Sequence, residues 1–232
     1  MRGVKRKIWC GGRPVTVIVL AGGRGTRMNG EKARLPLPGG TLLGRVLGQV
    51  APLFDEVLVS VSPGQKFHAE GTSWMKAGAT KKWKADHEGP ARIIERRKGP
   101  ELRYVEDEMP SLGPMAGILS GLRAAANDVC AVVACDIPDV HVPLLRKLVG
   151  AAAAADIAVP VTPAGQFEPL FAVYTKAVIS RIEELLRAGE RSLIPLFGRC
   201  RTECVPLKEA GWLRNLNTRA DYEEYLKSLR PR

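Results

Sequence analysis

The apolar positions of the chain fall into short runs separated by amphipathic stretches. Val15, Val17, Ile18, Val19 and Leu20 form a β-branched run with too few polar positions for a half-exposed edge, which predicts a strand buried on both faces. Residues 57–61 and 129–135 repeat this pattern. Tyr104-Val105 predicts a shorter strand that ends in Glu106-Asp107-Glu108. Residues 156–161 and 169–174 predict two more, and 203–207 an edge strand. Helical spacing lies between them. It covers about 42–50 behind Thr41 as N-cap, 113–126, 143–155 with Pro143 in the first turn, 175–188, a short piece from Ser192 to Phe197, and 219–228 behind Thr218. Strands alternating with helices predict an α/β fold, a Rossmann-like three-layer sandwich around a mainly parallel sheet.

Residues 63–103 break the alternation. They hold Gly64, Gly71, Gly78, Gly89, Pro90, Gly99 and Pro100, with Trp74 and Trp83 among lysines. The stretch reads as a long surface excursion with short helical pieces near 73–84 and 91–97. The expected organisation is a basic N-terminal arm over 1–14 and a single domain over 15–228 that carries the excursion at about 63–103.

Composition narrows the class. A chain of 232 residues is long enough to bury one α/β core. Its net charge of +11 suggests nucleic acid until it is located. The arm and the segment 65–103 together hold +10 of it, so the rest of the chain is close to neutral. The charge belongs to an arm and an excursion rather than to the fold, which disfavours a nucleic-acid partner. No run reaches the ~18–20 apolar residues of a membrane helix. Residues 1–14 lack the apolar centre of a secretory signal. The five cysteines form no Cys-x-x-Cys. Cys130 and Cys135 read as small core residues, and Cys200 and Cys204 lack a second ligand pair for zinc. A reducing, cytoplasmic setting is expected.

The chemistry concentrates after the first strand. The loop there holds Gly22, Gly23, Gly25 and Gly30 with three cations, Arg24, Arg27 and Lys32. A strand, a glycine-rich cationic loop and a helix make a phosphate site. No Gly-Lys-Ser/Thr closes it, and Met28 stands where a dinucleotide fingerprint needs its third glycine. Gly113, Gly117 and Gly121 share one helix face, at a cost of roughly 1 kcal/mol each relative to alanine. Such a face implies close approach to a neighbouring strand or a ligand. Asp136 follows a strand at the edge where open parallel sheets bind ligands. Each of these residues also has a plainer reading: a solvated loop cation for Lys32, a turn-forming Asp for Asp136, a strand-end charge for Asp107.

Several blocks together resemble the molybdenum cofactor guanylyltransferases. They are Leu20-Ala21-Gly22-Gly23 through Lys32; Asp107; Gly113-Pro114-Met115-Ala116-Gly117-Ile118; Cys135-Asp136-Ile137-Pro138; Glu168-Pro169-Leu170-Phe171-Ala172-Val173-Tyr174; Gly189-Glu190-Arg191-Ser192; and Asn215-Leu216-Asn217-Thr218. The resemblance spans about 15–228 without 63–103 and implies the nucleotide-diphospho-sugar transferase type of fold. It implies transfer of GMP from GTP to the terminal phosphate of molybdopterin, with Mg²⁺ and release of pyrophosphate. By the same resemblance Lys32, Asp136 and Arg27 are catalytic. Leu20, Ala21, Gly22, Gly23, Lys32, Asp107 and Asp136 bind the nucleotide, and Asp136 holds the metal. Arg27, Gly113, Asn215 and Asn217 lie on the pterin side, although the two asparagines read equally well as turn-formers before a helix.

The substrates implied are GTP and molybdopterin, with no membrane. A docking surface on the excursion for an acidic protein that delivers or receives the cofactor is a further expectation. Related cytidylyltransferases read Leu-Ala-Ala-Gly, so the missing Cβ at Gly22 is expected to leave room beside a purine. The chain departs from the family at Ser60 and Ser62, where an asparagine is usual, and in a spacing from Met28 to Lys32 one residue tighter than in many members. The competing readings are a related nucleotidyltransferase using CTP with molybdopterin or a sugar phosphate acceptor, and a nucleotide-binding adaptor. Retention of Lys32 and Asp136 together argues against the adaptor.

Overall fold

The computed structural model describes residues 7–22, 32–65, 91–93 (backbone only), 100–109, 112–208 and 213–229. The buried β-branched runs form the centre of one sheet. Strand β2 (Arg13–Leu20) lies between β8 (Val129–Ala134) and β5 (Glu56–Val61), and β7 (Glu101–Glu106) pairs with β5. These four strands are mutually parallel. Their side chains alternate between two apolar clusters. Val17 and Val19 face one, and Ile18 and Leu20 face the other. Helices α1 (Leu42–Val50) and α3 (Val142–Ala151) cover the first face. Helices α2 (Pro114–Ala124), α4 (Ile179–Arg187) and α5 (Ile194–Phe197) cover the second. The expected three-layer sandwich with a mainly parallel sheet is what forms.

The sheet is not parallel throughout. β10 (Phe171–Thr175) runs antiparallel to β8, with Phe171 opposite Val133, and antiparallel to β9 (Ile157–Val161). β11 (Thr202–Pro206) pairs parallel with β9 as the edge strand. Because it is reversed, β10 starts at the edge where its parallel neighbours end.

Three sequence expectations change. The basic arm does not reach residue 14. β1 (Trp9–Cys10) folds back on β2 through Gly11 and Gly12, both at positive φ (55° and 79°), as a two-residue hairpin turn demands. Ile8 is 3% exposed and its amide donates to the Leu53 carbonyl at 2.8 Å, so residues 7–12 belong to the domain. The apolar Ile8 and Cys10, set among charges, pull this segment onto the core. Second, residues 91–93 form strand β6 (Ala91–Ile93), antiparallel to β7, where a helical piece over 91–97 was expected. The excursion therefore gives way to the sheet by Glu101; the rest of its predicted helical pieces fall outside the described residues. Third, α3 stops at Ala151 although alanines continue to Ala155. Ladder pairing of β9 with β10 and β11 begins at Ile157, and the chain must turn before it.

The glycine face of α2 has a clear cause. A Cβ at Gly121 would stand 2.8 Å from Ile18 Cγ2, and one at Gly117 would stand 2.8 Å from Ser60 Oγ. The helix rests directly on β2 and β5, so at Gly117 and Gly121 the neighbouring strand is the reason for glycine, whereas Gly113 precedes the helix as its cap and has no atom within 4 Å of its Cβ position. Helix α6 (Arg219–Ser228) starts in a capping box between Thr218 and Asp221. It packs Tyr222 and Tyr225 against Leu37, Leu42 and Leu216 in a small apolar cluster of its own. A short hairpin of β3 (Pro36–Leu37) and β4 (Gly40–Thr41) leads into α1, where Thr41 Oγ1 accepts from the Gly44 amide. Among the described residues no helix is long and apolar enough to cross a membrane.

Candidate active site

Parallel β8, β2, β5 and β7 deliver the residues that follow them to one edge of the sheet, and hydrogen bonds stitch that edge beyond the ladders. The Cys135 amide donates to the Leu20 carbonyl at 3.0 Å, and the Asp107 amide to the Val61 carbonyl at 2.9 Å. The Ser60 carbonyl accepts from both Ala21 and Gly22, at 2.8 and 3.0 Å. The amides of Ala21 and Gly22 are thus engaged by the sheet, and any phosphate cradle of backbone N–H groups must lie further along the loop. Gly23, Arg24 and Arg27 lie outside the described residues.

Two sequence-distant groups meet Lys32. Its Nζ is 3.3 Å from Asp136 Oδ2 and donates to Asn217 Oδ1 at 3.0 Å. The tight spacing after Met28 therefore does not stop the lysine from reaching Asp136. The turn that carries Asp136 is fixed from several sides. The Leu216 amide donates to the Asp136 carbonyl at 2.9 Å. From α1, Gln49 donates to the Pro138 carbonyl and accepts from the Val140 amide. Asp139 accepts from Arg45 of α1 and from the Tyr225 hydroxyl of α6. Tyr222 donates to the Pro36 carbonyl, which ties α6 to the segment that follows Lys32. None of Gln49, Asp139 or Tyr225 stands out in sequence, since each acts through tertiary contacts.

The remaining predicted residues are spread along the same edge. Asp107 is half-buried, and burial pushes its carboxyl above the usual range, against an Oδ1 bond from the Met109 amide. Gly113 takes a positive φ of 82° as N-cap of α2, the connection from β7. The Asn215 carbonyl accepts from the Asn217 amide at 3.1 Å, so the pair does form a turn. Glu168, which carried no assigned role, lies just ahead of β10 at this edge with its amide on the Pro160 carbonyl; burial raises its carboxyl too. A Cβ at Gly22 would meet Ser62 N, just past β5, at 3.1 Å, a tight contact that favours glycine there independently of any base.

A metal would find one well-placed carboxylate, Asp136. Among the described residues no cluster of three or more His, Cys, Asp or Glu could hold an ion. Mg²⁺ is commonly held by one or two carboxylates, with substrate phosphates and waters completing its shell, so the donor set fits that ion better than an all-protein cage.

Comparison with known proteins gives this arrangement its family. The family model described as MobA-like NTP transferase domain matches residues 17–202. The chain belongs to that family. It is accordingly a nucleotidyltransferase. A probable molybdenum cofactor guanylyltransferase of Pelotomaculum thermopropionicum is 33% identical over 205 residues, which cover 88% of this chain and 81% of the relative. Its counterpart in Mycobacterium marinum is 32% identical, over 88% and 89% of the two chains. In structure, the MobA-like fold matches molybdopterin-guanine dinucleotide biosynthesis protein A from Archaeoglobus fulgidus with a TM-score of 0.65 at 23% identity, over 92% and 97% of the chains. It also matches 2-C-methyl-D-erythritol 4-phosphate cytidylyltransferase from Thermus thermophilus at a TM-score of 0.60 and 18% identity, over 93% and 98%. The nucleotide-diphospho-sugar transferase type of fold follows from both.

Proposed function

We propose that the enzyme transfers GMP from GTP to the terminal phosphate of molybdopterin and releases pyrophosphate. The observation that carries this reading is the convergence of Lys32 and Asp136 at the carboxyl edge in a chain of this family. The named relatives supply the acceptor and the base.

A terminal phosphate monoester has a second pKa of about 6, so near neutral pH it attacks largely as the dianion and no general base is needed. One of its oxygens bonds to the α-phosphorus of GTP. The bond from that phosphorus to the bridging oxygen of the leaving pyrophosphate breaks. The protein's task is to bring two polyanions together and neutralise them. Lys32 would supply a cation to the triphosphate, and Arg27, on the family resemblance, a second. Asp136 is the residue that would hold Mg²⁺, which supplies charge neutralisation on the phosphates. Asp107 and the Leu20–Gly22 turn would border the nucleoside, and Gly113, Asn215 and Asn217 the pterin side.

The test is pyrophosphate release from purified protein with Mg²⁺ and molybdopterin, GTP and CTP in parallel, beside Asp136→Ala. Turnover with GTP, lost in the variant, is expected. Turnover with CTP alone would overturn the base assignment and keep the transfer chemistry. Silence with both, in protein shown to be folded, would overturn molybdopterin as acceptor.

A further inference from the structure

Lys32 sits between two acceptors of different kind. Asp136 is charged and lies 3.3 Å away, with side-chain exposures of 23% and 20% for lysine and aspartate. Asn217 is neutral and lies 3.0 Å away. A relaxed ammonium–carboxylate bond closes to about 2.7–2.9 Å, so the lysine is shared rather than seated on the acid. Both acceptors stand on fixed backbone. The Asp136 carbonyl is held by the Leu216 amide, and the Asn217 amide donates to Asp221 Oδ2 at 3.0 Å where α6 begins. The lysine, on a flexible four-carbon stem, is the part free to move.

We propose that Lys32 is the internal counter-ion of Asp136 and that Asn217 is its second seat. This rests on the reading that Asp136 holds the divalent cation. When that cation binds, the ammonium and the ion compete for one carboxylate and repel each other. Asn217 Oδ1 then accepts the ammonium without adding a charge that would attract the metal. The lysine stays at the site, released toward the phosphates, only once the metal has arrived. Asn217 is on this account a positioning residue that acts through Lys32.

The experiment is a Mn²⁺ titration of nucleotide-free protein followed by electron paramagnetic resonance. Wild type is compared with Lys32→Met, Asn217→Leu, the double variant and Asp136→Asn, each checked for native circular dichroism. Losing a hydrogen-bonded charged competitor should tighten Mn²⁺ binding roughly tenfold in Lys32→Met. Asn217→Leu should weaken it about threefold, because the ammonium has nowhere else to go and stays on Asp136. The double variant should bind as Lys32→Met does, since the asparagine has lost the group it serves. Equal weakening by Asn217→Leu in both backgrounds would overturn the proposal and make Asn217 a direct ligand or a structural residue. Unchanged affinity in Lys32→Met would overturn it as well. If Asp136→Asn binds Mn²⁺ as wild type does, the metal assignment itself fails, and that result is distinct from either of the others.

Discussion

Gly117 offers a test of how the site edge is packed, because its effect should change sign with one neighbouring atom. Replacing it by alanine puts a Cβ 2.8 Å from Ser60 Oγ, closer than real Cβ atoms approach a neighbour. Ser60 is buried on β5, and its carbonyl is the acceptor for Ala21 and Gly22, so relief comes either from turning the hydroxyl within a packed contact or from moving a backbone that holds the turn at the site. Overpacking of this kind costs about 1–3 kcal/mol. Alanine in place of glycine in a helix returns about 1 kcal/mol. Gly117→Ala should therefore destabilise by up to about 2 kcal/mol. Removing the hydroxyl changes the neighbourhood. In Ser60→Ala the closest atoms to the new Cβ are Leu20 Cδ2 at 3.5 Å and the residue 60 Cβ at 3.8 Å, both ordinary contacts. There the same substitution should stabilise by about 1 kcal/mol, the propensity gain alone. The assay is urea unfolding of the four proteins, read from midpoints at constant slope. A coupling of about 1–3 kcal/mol between the two positions is expected. Equal effects of Gly117→Ala in both backgrounds would refute the argument.

Other outcomes are open to direct measurement. Gly22→Ala should weaken binding of GTP and CTP alike in equilibrium titrations, because its Cβ presses on the Ser62 backbone at 3.1 Å; a clean switch of preference to CTP would instead support room beside the base as the reason for glycine. Burial pushes the Cys130 and Cys135 thiols up to about 12, so at pH 8 a thiol reagent should modify exposed Cys204 in native protein and reach those two only on unfolding. Burial also raises the Asp107 carboxyl, which penalises its charged form in the folded chain. The penalty is absent at low pH, where folded and unfolded chains are both protonated, and is complete above the raised folded value. Asp107→Asn should thus raise stability at pH 7 and leave it nearly unchanged at pH 3, while nucleotide affinity falls; unfolding midpoints at the two pH values check this.

The sheet and its helices were readable because burial on both faces demands continuous β-branched runs, and β2, β5 and β8 supply them. Caps were readable because they are local, as at Thr41 and Thr218. Strand direction was not. Phe171–Thr175 has the composition of its parallel neighbours, and only the connection after β9 makes it run the other way. The opening hairpin was missed because its Lys and Arg outweighed the Gly11-Gly12 pair, which is a recognised turn signal. At the site, the individual residues could be named, yet the meeting of Lys32 with Asn217 could not. The Asn215–Asn217 turn is local, but which cation it faces depends on how α6 docks.

That docking has a temporal side. Asp136 comes 104 positions after Lys32 in the chain, and Asn217 185 positions after it. A chain emerging from synthesis has its lysine early and must wait for both acceptors. The central strands β2, β5, β7 and β8 are all complete before Asn217 exists, so the sheet is able to form around an unfinished site. The growing chain acquires the core strands and the Lys32–Asp136 pair first and Asn217 last, so the lysine meets its charged acceptor well before its neutral one.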